Sequence, residues 1–387
     1  MGFLRVYHII VGMSLLLGGS ACSYLHVNAP FRASKQDWEQ DGGAPDRPYR
    51  IAGETTMPVA QKWRVNIGAG VGAASPLVTY PYIWVGTRKG EVHVIHEPTG
   101  KVLGQKTMGE AIEGGLAIAG RIVYVPVAWG KYALVAYDVV DAWIVWRKRG
   151  APVEASLLLL DDRLIVADIQ GKVQALDLHT GAPLWTFEPD SVQAVRAAPV
   201  ALPKHQVAIV YDTGEVVALA QETGAVQWRT SLNAPVWMTP VAGCQRLFVP
   251  TMRSTLVALD GTSGKIDWIY WIDTPSVKVA TPAVDSLHLV FGATDGIIRA
   301  LDPVSGTLRW QVKGSGAFVA APLLTDDMVW IGGMDRFAYA IDKNSGEIRW
   351  RQRLKGRVKT APVRAGSSYI FIAEPMHAYA FQENNHL

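Results

Sequence analysis

Cysteine is nearly absent from this chain of 387 residues: only Cys22 and Cys244 occur. Two thiols cannot build a Cys₄ or Cys₂His₂ zinc site, and they cannot supply a disulfide framework. Charge is sparse, at 18% of residues, and nearly balanced, with 37 Lys and Arg against 34 Asp and Glu. The net charge is only +3, and no Lys/Arg run longer than three occurs, so nucleic acid is not the expected partner. No segment holds a sustained 3.6-residue apolar period. Gly-x-Ser-x-Gly is missing. His93 and His96 stand three apart on a strand-like run, point to opposite faces and cannot share a metal. The run Gly68-x-Gly70-x-Gly72 leads into Ala73-Ala-Ser-Pro76 and a further strand, not the helix that dinucleotide binding needs. These absences point to a non-enzyme with no catalytic, cofactor or metal residues. Cys244 reads as a small buried apolar residue, not a reactive thiol. What is plentiful is apolar residues (49%), Gly (37), Pro (22) and Trp (14), the composition of many short strands joined by tight turns.

Residues 1–21 read as a signal peptide. Arg5 supplies the positive start, Val6 to Leu17 is an apolar stretch too short to span a bilayer, and Gly18-Gly19-Ser20-Ala21 offers small residues for cleavage. A cysteine directly after them, Cys22, resembles a bacterial lipoprotein signal, although Gly19 stands where leucine is usual. That resemblance implies lipidation at Cys22. The alternative is an ordinary secretory signal with Cys22 incidental. Both export the chain. Ser23, in place of an aspartate, implies the outer membrane, with the protein on its periplasmic side. Residues 22–58 read as a lipid-anchored flexible tether, because Ser34 to Arg50 is polar and carries Gly42-Gly43, Pro45 and Pro48. Trp38 within it is either a docking point or a cover for an apolar spot.

From residue 59 to 387 the chain repeats one motif, Ala-Leu-Asp-x-x-Thr/Ser-Gly-x-x-x-Trp. It is clear at Ala175-Leu176-Asp177…Thr180-Gly181…Trp185, and it returns before Trp268, Trp310 and Trp350. Weaker copies precede Trp146 and Trp228, and Trp63 stands one period ahead of the first. The equivalent positions are 63, 104, 146, 185, 228, 268, 310 and 350, with Gly104 where tryptophan is expected. A proline marker at 76, 199, 240, 282, 322 and 362 keeps the same beat. Alternating runs such as Ile298–Asp302 read as strands, and Asp with Thr/Ser-Gly reads as a tight turn. Four strands in about 41 residues is the signature of a propeller blade. The expected fold is therefore all-β: an eight-bladed β-propeller of four-stranded antiparallel blades, closed by pairing of N- and C-terminal strands. Trp63, Trp146, Trp185, Trp228, Trp268, Trp310 and Trp350 are expected between blades as structural wedges. At Gly104 a gap or a substitute is expected. Arg349, Arg351, Arg353, Lys355, Arg357 and Lys359 read either as a solvated face or as a patch for an acidic partner or anionic head groups.

The repeat resembles the pyrroloquinoline-quinone-type propeller family, which includes quinone-dependent dehydrogenases and many proteins that bind no quinone. Such an enzyme would be expected to carry an adjacent cysteine pair and a calcium set of Glu, Asn and Asp; here Cys244 is alone. Signal, tether and single ring together resemble the BamB family of outer-membrane assembly lipoproteins, as does Trp63-Arg-Val-Asn-Ile-Gly68-Ala-Gly70-Val-Gly72. The resemblance implies a non-catalytic scaffold of the β-barrel assembly machinery, docking periplasmic domains of the central barrel-inserting protein. Unfolded outer-membrane clients are possible further partners. The loop from Asp190 to Pro199 is implied in docking, through Val195 and Arg196. In the next blade the family has acidic residues where this chain has Pro235-Val236-Trp237-Met238. Trp237 and Met238 either replace that contact with an apolar one or plug the ring's centre. The alternative function is a subunit of another envelope complex, for secretion, motility or electron transfer; a quinone-dependent dehydrogenase comes third.

Overall fold

The computed structural model describes residues 25–27, 37–57 and 59–383. The signal peptide and Cys22 lie outside the described residues. Seven antiparallel sheets of four strands follow one another at 77–107, 117–148, 158–187, 200–231, 241–271, 283–313 and 323–353. In each, the strands are ordered as they occur in the chain, from the axis outward. The eighth sheet takes its outer strand, Val59–Asn66, from the start of the domain and pairs it with His377–Glu383 near the end. Its innermost place is shared by two short strands, Arg357–Val358 and Val363–Ala365. The ring of eight blades is thus closed by its own ends, as the repeat count requires, and no helix occurs among the described residues.

Burial follows from this stacking. Middle strands such as Met328–Gly332 are buried along their whole length, because both faces pack on neighbouring blades. Outer strands such as Leu308–Lys313 are mostly exposed and bury only the wedge residue, Trp310. Each wedge sits opposite an alanine: Ala136 with Trp146, Ala175 with Trp185, Ala218 with Trp228, Ala258 with Trp268, Ala300 with Trp310, Ala340 with Trp350 and Ala380 with Trp63.

Six of the seven indoles then reach the turn of the following blade; Trp350 packs instead on Phe381 of the last blade. The glycines at 100, 181, 224, 264, 306 and 346 have φ between +68° and +77°, and a Cβ on any of them would stand 2.3–2.8 Å from an indole of the blade before. Only glycine meets both demands. The indole N–H often adds a hydrogen bond across the seam, from Trp146 to Leu178 O (3.0 Å), Trp185 to Gln221 O (2.8 Å) and Trp310 to Lys343 O (2.8 Å). The blade with Gly104 departs at all three places together. Val94, not alanine, lies opposite Gly104, and the next turn holds Ala142 at φ 57° where the other copies have glycine. With no indole to admit, bulkier neighbours occupy the space.

The segment expected to be a flexible tether is packed from residue 37 onward, and this corrects the reading. It circles the axis and touches all eight blades in order. Trp38 exchanges backbone hydrogen bonds with Val78, Glu39 O accepts from Ile118, and the Gln40 side chain brackets Leu159. The carbonyls of Pro45, Asp46, Pro48 and Tyr49 accept from Ala201, Ala242, Val284 and Leu324, and Thr55 meets Tyr369 of the last blade. The inner strands would otherwise present unpaired edges to the axis, and the segment caps them. Trp38 is buried against the first blade, so it covers an apolar site and is not displayed for docking. Gly42 and Gly43 are turn residues at φ +83° and +84° pressed on Arg47 and Trp38. They signify close approach, not slack.

Arg47 is the fixed point of this strap. It is fully buried and donates to Pro199 O (2.9 Å), Leu157 O (2.8 Å) and Asp41 O (2.5 Å). Burial lowers its pKa, which Asp41 partly opposes. The Asp41 carboxylate accepts from Ser75 (2.7 Å) and Ser156 (2.9 Å), tying the first blade to the third.

Five substitutions are expected to differ in their effect on stability. Gly224→Ala, which meets Trp185 and a left-handed backbone, is expected to destabilise by about 2 kcal/mol or more. Ala142→Gly should stay within about 1 kcal/mol of neutral, since relief of strain is offset by glycine's unfolded-state entropy; urea midpoints compare the two. Arg47→Met leaves Asp41 and buried carbonyls unpaired and should lose about 3–5 kcal/mol, with the strap becoming protease-sensitive. Arg50→Met removes only an exposed pair with Asp326 and should lose less than about 1 kcal/mol. The turn aspartates give an acid response. The Ser305 N–H, against a smaller push from burial and helped by Arg309, holds Asp302 at about 2. Asp177 and Asp260 are lowered, first by the hydroxyls of Thr180 and Ser263. A folded pKa below the unfolded value of about 3.9 gives stability that is complete above that pH and lost as pH falls toward about 2. Asp302→Asn should flatten part of that loss in urea midpoints measured between about pH 4 and pH 2.

Candidate functional site

The connections from each outer strand to the next inner strand all emerge on one face and surround the axis. At five of the six proline markers the residue three places before turns toward this opening; before Pro282 the matching residue, Val279, is buried. The five are Ala73, Arg196, Trp237, Val319 and Lys359, with Glu113 and Glu154 at the matching places in blades that lack the proline. Together they line a depression of about 90 Å³ floored by Asp41 and Tyr49 of the strap.

The rim is electrostatically paired. Arg196 Nε donates to Glu154 at 2.9 Å, and the same guanidinium binds Asp212. On the other side Arg88 meets Glu113 at 3.0 Å and Glu374 at 3.6 Å, and Lys359 meets Glu374 at 2.5 Å. Between these clusters runs an apolar arc of Trp237, Met238, Val319 and Ala320. Trp237 is 50% exposed, and Lys278 Nζ stands 5.8 Å from its ring centre. The arc therefore offers a flat aromatic surface flanked by a cation, while the stronger charges are already satisfied within the rim.

Of the residues singled out in the sequence, Arg196, Trp237 and Met238 come together at this mouth, with Met238 half-buried. Trp237 belongs to the ring's centre and is open to solvent, so the two readings of it describe one place. Val195 does not belong there. It is fully buried in a cluster with Leu158, Ile165 and Tyr211, while Arg196 next to it is exposed. Reading the sequence missed Glu113, Glu154, Asp212 and Lys359 as partners in the rim. The marker spacing that selects Arg196 and Trp237 selects Lys359 as well. Three of the six basic residues near the end are engaged: Arg349 pairs with Glu347 at 3.1 Å, Arg351 covers the Phe337 ring at 5.0 Å, and Lys359 is bound as above. Cys244 is half-buried with its thiol 3.5 Å from Asp285 O. Burial first, and Asp285 after it, push the thiol pKa up, the inert condition expected of it. Among the described residues no group of three or more His, Cys, Asp or Glu is placed to hold a metal ion.

The mouth offers no cradle for a quinone either. Arg47 beneath it is saturated by carbonyls, and the depression itself, about 90 Å³, is far below the roughly 300–1,000 Å³ of small-molecule sites.

Comparison with known proteins places the chain. A family model described as outer membrane protein assembly factor BamB matches residues 88–203, 173–323 and 294–385. Curated assembly factors named BamB are similar: that of Shewanella oneidensis is 21% identical over 70% of this chain and 85% of its own length, and that of Burkholderia pseudomallei 24% over 66% and 69%. The match to the Yersinia pestis protein, 26% identical, covers 39% of this chain and spans only 41% of that protein. Among solved structures, BamB from Moraxella catarrhalis superposes with a TM-score of 0.68 at 20% identity, over 86% of this chain and 99% of that one. A quinohemoprotein alcohol dehydrogenase from Pseudomonas putida gives 0.78 at 13% identity, over 93% and 84%, a likeness of fold alone. With the family model matched along most of the ring, the chain belongs to the BamB family of outer membrane protein assembly factors.

Proposed function

We propose that the protein is a non-catalytic scaffold in outer-membrane protein assembly, held to the periplasmic side of the outer membrane through Cys22, and that the axial mouth docks a periplasmic domain of the central barrel-inserting protein. The single observation that carries the docking is the pairing of Trp237, half-exposed, with the prearranged Glu154–Arg196–Asp212 cluster on one rim. A rigid, half-exposed aromatic on the same rim as an arginine already oriented by two carboxylates is the composition of an interface hot spot. The small volume of the mouth, about 90 Å³, supports a binding role over catalysis at this face.

A second reading, a scaffold of another envelope complex, draws on one feature: Trp237 and Met238 stand where an acidic contact is expected from the family resemblance. Both readings use the same face and differ in the partner.

Trp237→Ala is expected to weaken association with the periplasmic domains of the barrel-inserting protein by about tenfold or more, and Arg196→Ala by a similar factor, with circular dichroism unchanged. Trp271→Ala, an exposed tryptophan on an outer strand, should leave association as it was. Titration by calorimetry or surface plasmon resonance checks this. Wild-type affinity in both mouth variants would overturn the assignment of this face. No binding by the parent chain would point to another envelope partner.

A further inference from the structure

We infer that the rim of the first two blades, carrying Tyr80, Leu103 and Trp143 beside Leu25–Val27, rests on the lipid surface when the chain is acylated at Cys22; this rests on the lipidation reading above.

The argument starts from where the chain is first fixed. Leu25 and Val27 are buried, and they are held by the second blade: Val27 N–H donates to Val139 O at 2.9 Å, and Leu25 O accepts from the Tyr137 hydroxyl at 2.9 Å. Val139 lies in the turn between the third and fourth strands of that blade, on the face opposite the axial mouth. Cys22 is three residues upstream of Leu25. Three residues reach at most about 11 Å when fully extended. An acyl chain on Cys22 therefore holds this turn within about that distance of the head groups. A long slack tether would have left the ring free to turn. This short one does not.

The exposed side chains of these two blades are suited to lipid. Trp143, paired with Asp138 at the end of the same turn, is 56% exposed. Leu103, next to Gly104 on the adjoining blade, is 42% exposed. Tyr80, whose N–H donates to Asp37 where the strap resumes, is 51% exposed. Lys101, exposed at the start of the same outer strand as Leu103, adds a cation. A tryptophan and a tyrosine with apolar bodies and polar tips, beside a leucine and a lysine, form an interfacial set. Other exposed aromatics occur, Trp129, Trp237 and Trp271 among them, but Trp143 closes the very turn whose Val139 holds Val27. The partner chemistry is accordingly a phospholipid surface. With this rim down, the axial mouth faces away from the bilayer, toward periplasmic domains.

The test uses the full acylated chain in vesicles of phosphatidylethanolamine and phosphatidylglycerol. Cys244→Ser frees one thiol position at a time for a nitroxide: Trp143→Cys, Leu103→Cys as a second site, and Trp237→Cys on the opposite face. Accessibility to an aqueous nickel chelate and to oxygen is read by electron paramagnetic resonance, with and without vesicles. Labels at 143 and 103 are expected to lose access to the chelate several-fold on vesicle binding and to gain access to oxygen, while the label at 237 is unchanged. An acylated chain whose labels at 143 and 103 stay as open as the one at 237 overturns the inference and leaves the docking reading standing. Mass spectrometry of the N-terminal peptide is read in parallel. A Cys22 without acyl groups overturns the anchoring reading itself.

Discussion

The contact on which the ring depends is an indole lying under a glycine. Each blade alone is a small twisted sheet with two apolar faces, and it becomes stable only when both faces meet neighbours. The indole joins those faces: its own blade supplies an alanine opposite, and the next supplies a turn with no side chain. Three residue identities, far apart in sequence, are thereby tied to one steric event. The blade with Gly104, Val94 and Ala142 makes the case from within the chain, because all three change together where the indole is lost.

A closed ring of this kind leaves a second problem, the inner edges. Eight short strands turn their unpaired groups toward an axis too narrow for a further sheet. The strap meets this with peptide carbonyls and a single buried guanidinium. An ion pair with such burial is weak evidence for net stability, but it specifies one seating: Arg47 finds its three carbonyls only when the strap is in register with the third and fourth blades. The same strap floors the mouth and so converts a ring with a hole into a platform with a shallow depression.

The fold was legible because its determinants are local and repeated. The period located the blades, the turn chemistry located the hairpins, and the unmatched ends announced the closure. The strap was not legible, because its cues are those of a linker: glycines, prolines and polar residues whose partners lie across the ring. Asp41 and Arg47 gave no local hint, since Ser75, Ser156, Leu157 and Pro199 become their neighbours only after the ring is built. At the site, Arg196 and Trp237 were legible and Val195 was misplaced. The connections between blades lack a fixed alternation, so inward and outward positions there cannot be assigned by parity from a neighbouring strand.

The pairing of Val59–Asn66 with His377–Glu383 has a temporal side. These strands are separated by more than 300 residues, and the strap before them needs contacts on every blade. The strand Val59–Asn66, synthesised before any complete blade, can therefore be paired only after the last residues of the ring exist. Chain-end meeting of such range makes assembly slow compared with forming any one hairpin. Intermediate forms are open arcs with bare sheet faces at each end, in need of protection until the circle completes.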